Sequence, residues 1–222
     1  MLICLAAGCA TDDSVVQAPP SLVPNLELQV TEVKGPGSEQ VTFVVPPRLQ
    51  GEWISEQPEP AGNGRYAFRR LKFDGSHWEL TYTLSLGRSQ AKLLFQHRAK
   101  GLYNLQKASS KMDGAFLVAF RNLQKSISLE QMDRTTQKEL GFDSCGLTAN
   151  HETDITSRGC GIVMKVAECP TDFDLIRQET YKGKTRLYLG NRYAEFASCS
   201  EDKRPVALGP PLIPVNDQIS RR

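Results

Sequence analysis

The chain has 222 residues, 40% hydrophobic and 23% charged, the balance of a globular protein with one core plus tails. A net charge of +2 gives no electrostatic reason to expect nucleic acid. No stretch approaches the ~20 consecutive apolar residues of a membrane-spanning helix, so any membrane contact is expected through an anchor or a partner.

The N-terminus is expected to supply that anchor, with residues 1–8 as a lipoprotein signal and Cys9 as the anchored residue. The run LICLAAGC over residues 2–9 resembles the lipobox of bacterial lipoproteins, with small Ala7 and Gly8 ahead of Cys9. The resemblance implies cleavage before Cys9 and lipidation of its thiol and amine. Neither Lys nor Arg precedes the apolar run, which fits a start placed too far downstream. Residues 9–25, with polar residues and prolines, read as a tether to the membrane. Ala10, not Asp, follows the cysteine, so outer-membrane sorting is expected by analogy.

A β domain is expected over residues 26–203. Residues 26–33 and 40–45 alternate as strands about Gly35-Pro36-Gly37, and Pro46-Pro47 ends the second. Another strand starts at Gly51-Glu52-Trp53-Ile54, and a loop at 58–64 leads into RYAFRRLKF. Then comes HWELTYTLSL, residues 77–86, in which Trp78, Leu80, Tyr82, Leu84 and Leu86 alternate with polar neighbours. At ~3.3 Å per residue it spans roughly 30 Å with all its apolar groups on one face. After a turn at 87–90 the alternation resumes through Leu93, Phe95, His97, Ala99, Gly101, Tyr103 and Leu105, Leu94 and Leu102 being exceptions. Two long one-faced strands joined by a short turn read as a hairpin of a curved sheet or barrel.

Residues 114–120, GAFLVAF, are apolar on both faces, as a strand covered from both sides requires. Ser128 reads as a helix N-cap with Gln131 three residues on; Leu129, Met132 and Leu140 form the apolar stripe, and Gly141 ends it. Further strands are expected over 161–167, 173–180 and 185–189, and residues 204–222, with four prolines in the run, read as a loose tail. The fold class expected is therefore mainly β: an antiparallel half-open β-barrel with one short helix.

Setting aside Cys4 and Cys9, the remaining Cys145, Cys160, Cys169 and Cys199 suit two disulfides in an exported chain, with three possible pairings. No C-x-x-C pair supports zinc, and no metal or cofactor is expected. Catalysis is not expected either. The chain holds three histidines and no G-x-S-x-G, H-E-x-x-H or glycine-rich phosphate loop. His77 precedes a strand, and His151 sits near Glu152 and Asp154 in a polar loop. His97 shares a face with Phe95 and Tyr103, where it is either a hydrogen-bonded core residue or a polar contact for a ligand's head group. Arg69 is expected inward beside Phe73, paired with an acid such as Glu79 or with a ligand's carboxylate or phosphate.

An ordered set of residues resembles the domain family named for adenomatosis polyposis coli down-regulated 1, a secreted Wnt antagonist of animals. The set runs Gly51-x-Trp53, Arg69, Phe73, Trp78, Gly101-x-Tyr103, Cys145-Gly146, Asp154-Ile155-Thr156, Gly159-Cys160 and Leu187-Tyr188-Leu189-Gly190. It covers roughly residues 45–200 as one module, where animal members carry two. Two cysteines of the animal module fall here at Pro58 and Gln90, as the loss of one disulfide would leave them. The resemblance implies a lipocalin-like half-barrel holding acyl chains in an apolar groove; Wnt antagonism itself is not expected of a lipobox-bearing chain. Cys145 and Cys160 match the family and Cys169 and Cys199 are local, so the pairing expected is Cys145–Cys160 and Cys169–Cys199.

The function expected is binding of a hydrophobic small molecule or lipid by a lipid-anchored protein of the cell envelope. The wall would comprise Trp78, Leu80, Tyr82, Leu84, Leu93, Phe95, His97 and Tyr103, with Arg69, and Gly101 would leave a gap in it. The alternative is a filled barrel that docks an envelope protein or polymer.

Overall fold

The computed structural model describes residues 29–34, 40–192 and 197–216. The lipobox, Cys9 and the tether lie outside them.

The strands are β1 (Gln29–Lys34), β2 (Gln40–Val45), β3 (Gly51–Ser55), β4 (Glu59–Pro60), β5 (Arg65–Asp74), β6 (His77–Leu86), β7 (Lys92–Ala108), β8 (Ala115–Leu129), β9 (Glu152–Asp154), β10 (Thr171–Tyr181), β11 (Lys184–Gly190) and β12 (Leu208–Pro214). One short helix, α1 (Arg134–Glu139), lies between β8 and β9. Eight strands close antiparallel on themselves in the order β3-β5-β6-β7-β8-β10-β11-β12, with β12 returning to β3. The antiparallel barrel expected from the alternation is present, and its ladder is complete all the way round.

The long hairpin forms as read. Every residue of β5 pairs with β6, and β6 with β7, so the period-2 pattern of all three strands faces one interior. At 17 and 15 residues, β7 and β8 outrun the barrel. Past Arg121, where its pairing with β10 stops, β8 pairs instead with β9. The projecting half of the sheet is covered by a cap, residues 130–167. The cap lays Met132, Phe142, Ile155 and Val163 against Leu84, Phe95, Ile127 and Leu129. A second apolar cluster fills the barrel proper around Trp53, Leu71, Phe73, Trp78, Phe120 and Leu212.

Four expectations are corrected. Ser128 is no N-cap: β8 runs on to Leu129, and Asp133 caps α1 by accepting from Thr136 N at 2.9 Å. None of the expected stripe lies inside the helix: strand pairing to β7 claims Ser128 and Leu129, Met132 precedes the cap, Leu140 is the C-terminal cap, and the helix buries Thr136 instead. Residues 161–167 are a turn, not a strand. Gly161 sits at φ +51°, where a Cβ would lie 2.0 Å from Leu140 O. Residues 204–222 are not simply a tail, since Leu208–Pro214 are the strand that closes the barrel. Pro210, Pro211 and Pro214 give it no amide donors, but the Pro211 carbonyl accepts from Glu56 N and the Pro210 carbonyl from Arg69. Finally, a register shift between Leu84 and Ser85 sets Ser85 opposite Leu93. Leu94 becomes the buried residue and Leu93 is half-buried, off the wall where it was expected.

The disulfides pair as expected, Cys145 with Cys160 and Cys169 with Cys199, at Cα separations of 5.7 and 5.0 Å. The first ties the cap to itself; the second ties the start of β10 to the segment leading to β12.

Candidate functional site

Register places the expected wall in four transverse rows, each running across β5, β6, β7 and β8. They are Phe73–Trp78–Gly101–Asn122, Leu71–Leu80–Ala99–Lys125, Arg69–Tyr82–His97–Ile127 and Ala67–Leu84–Phe95–Leu129. The first and last rows are sealed. Phe120 lies 4.9 Å from the Trp78 ring, and Phe142 of the cap meets Phe95 edge-on at 5.1 Å. Between them Leu80, Tyr82 and Arg69 are half-buried, although they face the interior. Tyr103 is half-buried near the β5–β6 turn, its ring 5.1 Å from Phe73 and its hydroxyl accepting from Gln50 Nε2 at 3.4 Å.

Gly101 leaves no gap. A bulge in β8 sets Asn122 opposite Gly101 and Gln124 opposite Lys100, and turns the Arg121 carbonyl inward. A Cβ on Gly101 would lie 1.8 Å from that oxygen. Trp78 Nε1 donates to the same oxygen at 3.3 Å.

The polar members of the wall are held by the protein. Arg69 pairs with Glu59, not Glu79: its Nε lies 2.8 Å from Oε1, and Nη2 donates to Pro210 O at 2.8 Å. Ser55 Oγ donates to the same Glu59 oxygen at 2.6 Å. Burial, with the Glu59 charge nearby, pushes the Tyr82 hydroxyl up to about 12. His97 Nδ1 lies 3.0 Å from Ser126 O, and burial holds the ring neutral down to about 4, the Ser126 bond opposing. It is a hydrogen-bonded core histidine.

A buried polar belt that the sequence reading missed lies beside this wall. Asp172 accepts from Asn122 Nδ2, Arg192 Nη1 and Ser198 N; Asp174 accepts from Arg192 Nη2, Gly190 N and Leu175 N. Lys125, 4% exposed, donates from Nζ to Met164 O at 3.2 Å, and burial lowers its pKa against the pull of Asp172. For the β8 bulge the signal was present in the sequence. Phe116, Val118, Phe120 and Asn122 share one parity, Lys125, Ile127 and Leu129 the other, and such a switch within one strand marks a bulge. Asp172 and Asp174 alternate with Phe173 and Leu175, which reads as an outward polar face, so their burial carried no signal in the sequence.

Several family-frame residues are structural. Thr156 N donates to Asp154 Oδ1, Ile155 N to Lys125 O, and Lys125 N to Thr156 Oγ1, which docks Asp154-Ile155-Thr156 on β8. No metal set emerges among the described residues: Cys169 and Cys199 cluster with Asp172, but their sulfurs are joined to each other. His77 and His151 are exposed. Glu152 is engaged by Ser126 and Arg98, and Asp154 by Gln124 and Thr156. Outside the barrel, Glu79, Arg98, Lys100, Gln124, Glu152 and Asp154 line a shallow polar depression of about 430 Å³.

No protein-family model matches the chain, and no curated protein matches its sequence. The resemblance to the adenomatosis polyposis coli down-regulated 1 family rests on its ordered motif set.

Proposed function

We propose that the chain is a non-catalytic binding module of the cell envelope that takes an apolar ligand, of the acyl-chain class, into its barrel. The observation that carries this reading is the accessibility of Leu80 and Tyr82 on the interior face, between two sealed rows. An eight-stranded barrel is just wide enough to be filled by side chains or to hold one small ligand. The site is narrower than the whole wall: Leu80, Tyr82 and Arg69 would meet the ligand, with Tyr103 at one end. Burying a fourteen-carbon chain at ~0.8 kcal/mol per CH₂ offers on the order of 10 kcal/mol gross, and association costs bring that to roughly micromolar affinity. Two disulfides suit an oxidising compartment, and lipidation at Cys9 would hold the module at the membrane.

Ala99→Phe tests this reading, because it places a ring in the row beside Leu80. The expected result is a folded variant that no longer takes up a fluorescent acyl probe bound by the wild type. A variant that unfolds, beside a wild type that takes up no probe and yields no lipid on organic extraction, rejects the reading.

The second reading is a filled barrel that docks an envelope partner by its outer face. It is favoured by the burial of Trp78, Leu84 and Phe95, each at most 5% exposed without any ligand. The depression around Arg98 and Glu152 would then be the docking surface.

A further inference from the structure

Asn63-Gly64 sits at the tip of the β4–β5 hairpin, where Ala61, Gly62, Asn63 and Gly64 are all exposed. Arg65 N donates to Gly62 O at 2.8 Å and Ala61 N to Arg65 O at 2.9 Å, which closes a tight turn around Asn63 and Gly64. Both central residues have positive φ, +51° at Asn63 and +70° at Gly64. Such a hairpin turn selects Asn and Gly, the residues that enter the left-handed region at least cost. Turn geometry accounts for the pair, and the pair brings its own chemistry.

Gly64 N and Asn63 Cγ are the ends of one short chain, N, C, Cα, Cβ and Cγ, so a five-membered ring closes between them without help from the fold. Glycine has no Cβ to crowd that nitrogen. Among the described residues neither the Gly64 N–H nor the Asn63 side chain makes a hydrogen bond. Every other asparagine is followed by Leu, His, Arg or Asp, whose side chain shields the corresponding nitrogen. At Asp74-Gly75 the glycine N–H is held by Gln50 Oε1 at 3.0 Å. Asp113-Gly114 offers a carboxylate, a poorer electrophile than an amide.

The reaction balances with water as its only co-reactant. Gly64 N gives its proton to solvent and bonds to Asn63 Cγ, the Cγ–Nδ2 bond breaks, and Nδ2 leaves as ammonia. Water then opens the cyclic imide at either carbonyl, giving aspartate or, with the chain rerouted through Cβ and Cγ, isoaspartate. Isoaspartate adds one backbone carbon to a turn that has no slack. β4 depends on that turn, because it has two residues, Glu59 paired with Ala67 and Pro60 with Tyr66. Glu59 in turn accepts from Arg69 Nε and Ser55 Oγ.

We propose that Asn63 is a site of spontaneous modification, its amide displaced by Gly64 N to give aspartate and isoaspartate, and that the isoaspartate form loosens β4 and frees Glu59 from Arg69. None of this depends on what the barrel binds. The experiment incubates the full chain at 37 °C and follows each asparagine by peptide mapping that separates Asn, Asp and isoAsp. Asn63 is expected to convert ahead of every other asparagine, and faster at pH 8 than at pH 6, because the attacking nitrogen must lose a proton. Aged protein should exchange amide hydrogens faster at Ala61 and Arg65, whose bonds close the turn, with β6 to β8 unchanged. Asn63→Gly keeps the positive φ without the amide and should show no such change with time. No conversion at Asn63, or conversion no faster than at the other asparagines, overturns the site. Conversion to isoaspartate with exchange at Ala61 and Arg65 unaltered overturns its effect on β4. Should Asn63→Gly fail to fold, the wild-type time course alone decides both points.

Discussion

The two halves of this barrel are held together differently. The wall of β5 to β8 is built of long strands with rows four residues wide, stabilised by apolar burial along strands of up to 17 residues and crossed by register shifts at Leu84/Ser85, Lys100/Gly101 and Leu105/Ala108. The side made by β10, β11 and β12 is shorter and interrupted. It relies on a disulfide, a buried Arg192–Asp172–Asp174 cluster and a strand containing three prolines. Apolar pattern holds the long strands together across their register shifts; on the shorter strands individual polar contacts must fix the register. Losses on the β10–β12 side should therefore be sharper per atom removed than losses on the wall.

The largest effect is expected at Asp174. Its carboxylate accepts from Gly190 N, Leu175 N and Arg192 Nη2, joining β10 to β11 and to the segment that leads to β12. Asp174→Ala strands two amide donors and half of a buried guanidinium pair, which should cost roughly 3–5 kcal/mol in chemical denaturation. A loss below ~1 kcal/mol would mean that the cluster is incidental and the comparison misdrawn. On the wall, Leu80→Ala removes more atoms but only half-buried ones, so a loss near the ~2 kcal/mol lower end for Leu→Ala is expected.

The cap comes next. Replacing Cys145 and Cys160 together by Ala should cost about 3 kcal/mol on the loop-entropy account for a separation of 15 residues. Because the cap seals only the Leu84–Phe95 end, hydrogen exchange should rise in residues 140–165 and stay low in β3, β11 and β12. Uniform exchange across the barrel would show that the cap and the barrel proper unfold as one unit.

Legibility followed the same division. Alternation over residues 77–86 and 93–105 was enough to place β6 and β7 and most of their inward faces, and Cys145 with Cys160 was expected from the family resemblance. What escaped was decided by single backbone events. The shift at Leu84–Ser85 exchanged Leu94 for Leu93, and the β8 bulge filled the space that Gly101 suggested. Prolines made β12 read as a tail, because the rule that central strands avoid proline assumes that the amides must be paired. Here its carbonyls carry the contacts, to Glu56 N and Arg69. Arg69 was correctly drawn inward, but its partner is Glu59 from the two-residue β4, too short to show a pattern.

The pH response sharpens the wall side of the comparison. His97 is buried, near Lys125 and Asp172, and its folded pKa of about 4 lies below the usual 6.5. The unfolded chain therefore binds the extra proton first, and stability rises with pH between about 4 and 6.5. The gain across that window is about 3 kcal/mol, fully present above 6.5 and lost as pH falls towards 4. Unfolding curves of wild type and His97→Gln at pH 4.5 and 7.5 should show a pH-dependent difference. A difference independent of pH would assign the acid sensitivity to groups other than His97; Asp174 is not one of them, because burial raises its pKa and protonation then favours the folded state.

The smallest effect is expected on the wall's outer face. Arg98 and Glu152 pair at 3.0 Å with both side chains 47% exposed, and pairs this open contribute about 0–1 kcal/mol. Arg98→Ala should therefore move the denaturation midpoint little, and less still in high salt. That near-neutrality makes the position a clean probe of the docking alternative, since Arg98 lines the outer depression and takes no part in the interior rows. If the outer face docks an envelope partner, Arg98→Ala should weaken recovery of that partner by crosslinking while acyl-probe uptake is unchanged. If the interior is the working site, both measurements should match wild type, whereas Ala99→Phe alone abolishes uptake. A loss of uptake in Arg98→Ala would show that the two faces of β7 are energetically coupled, and the division between a working interior and a passive outer face would fail.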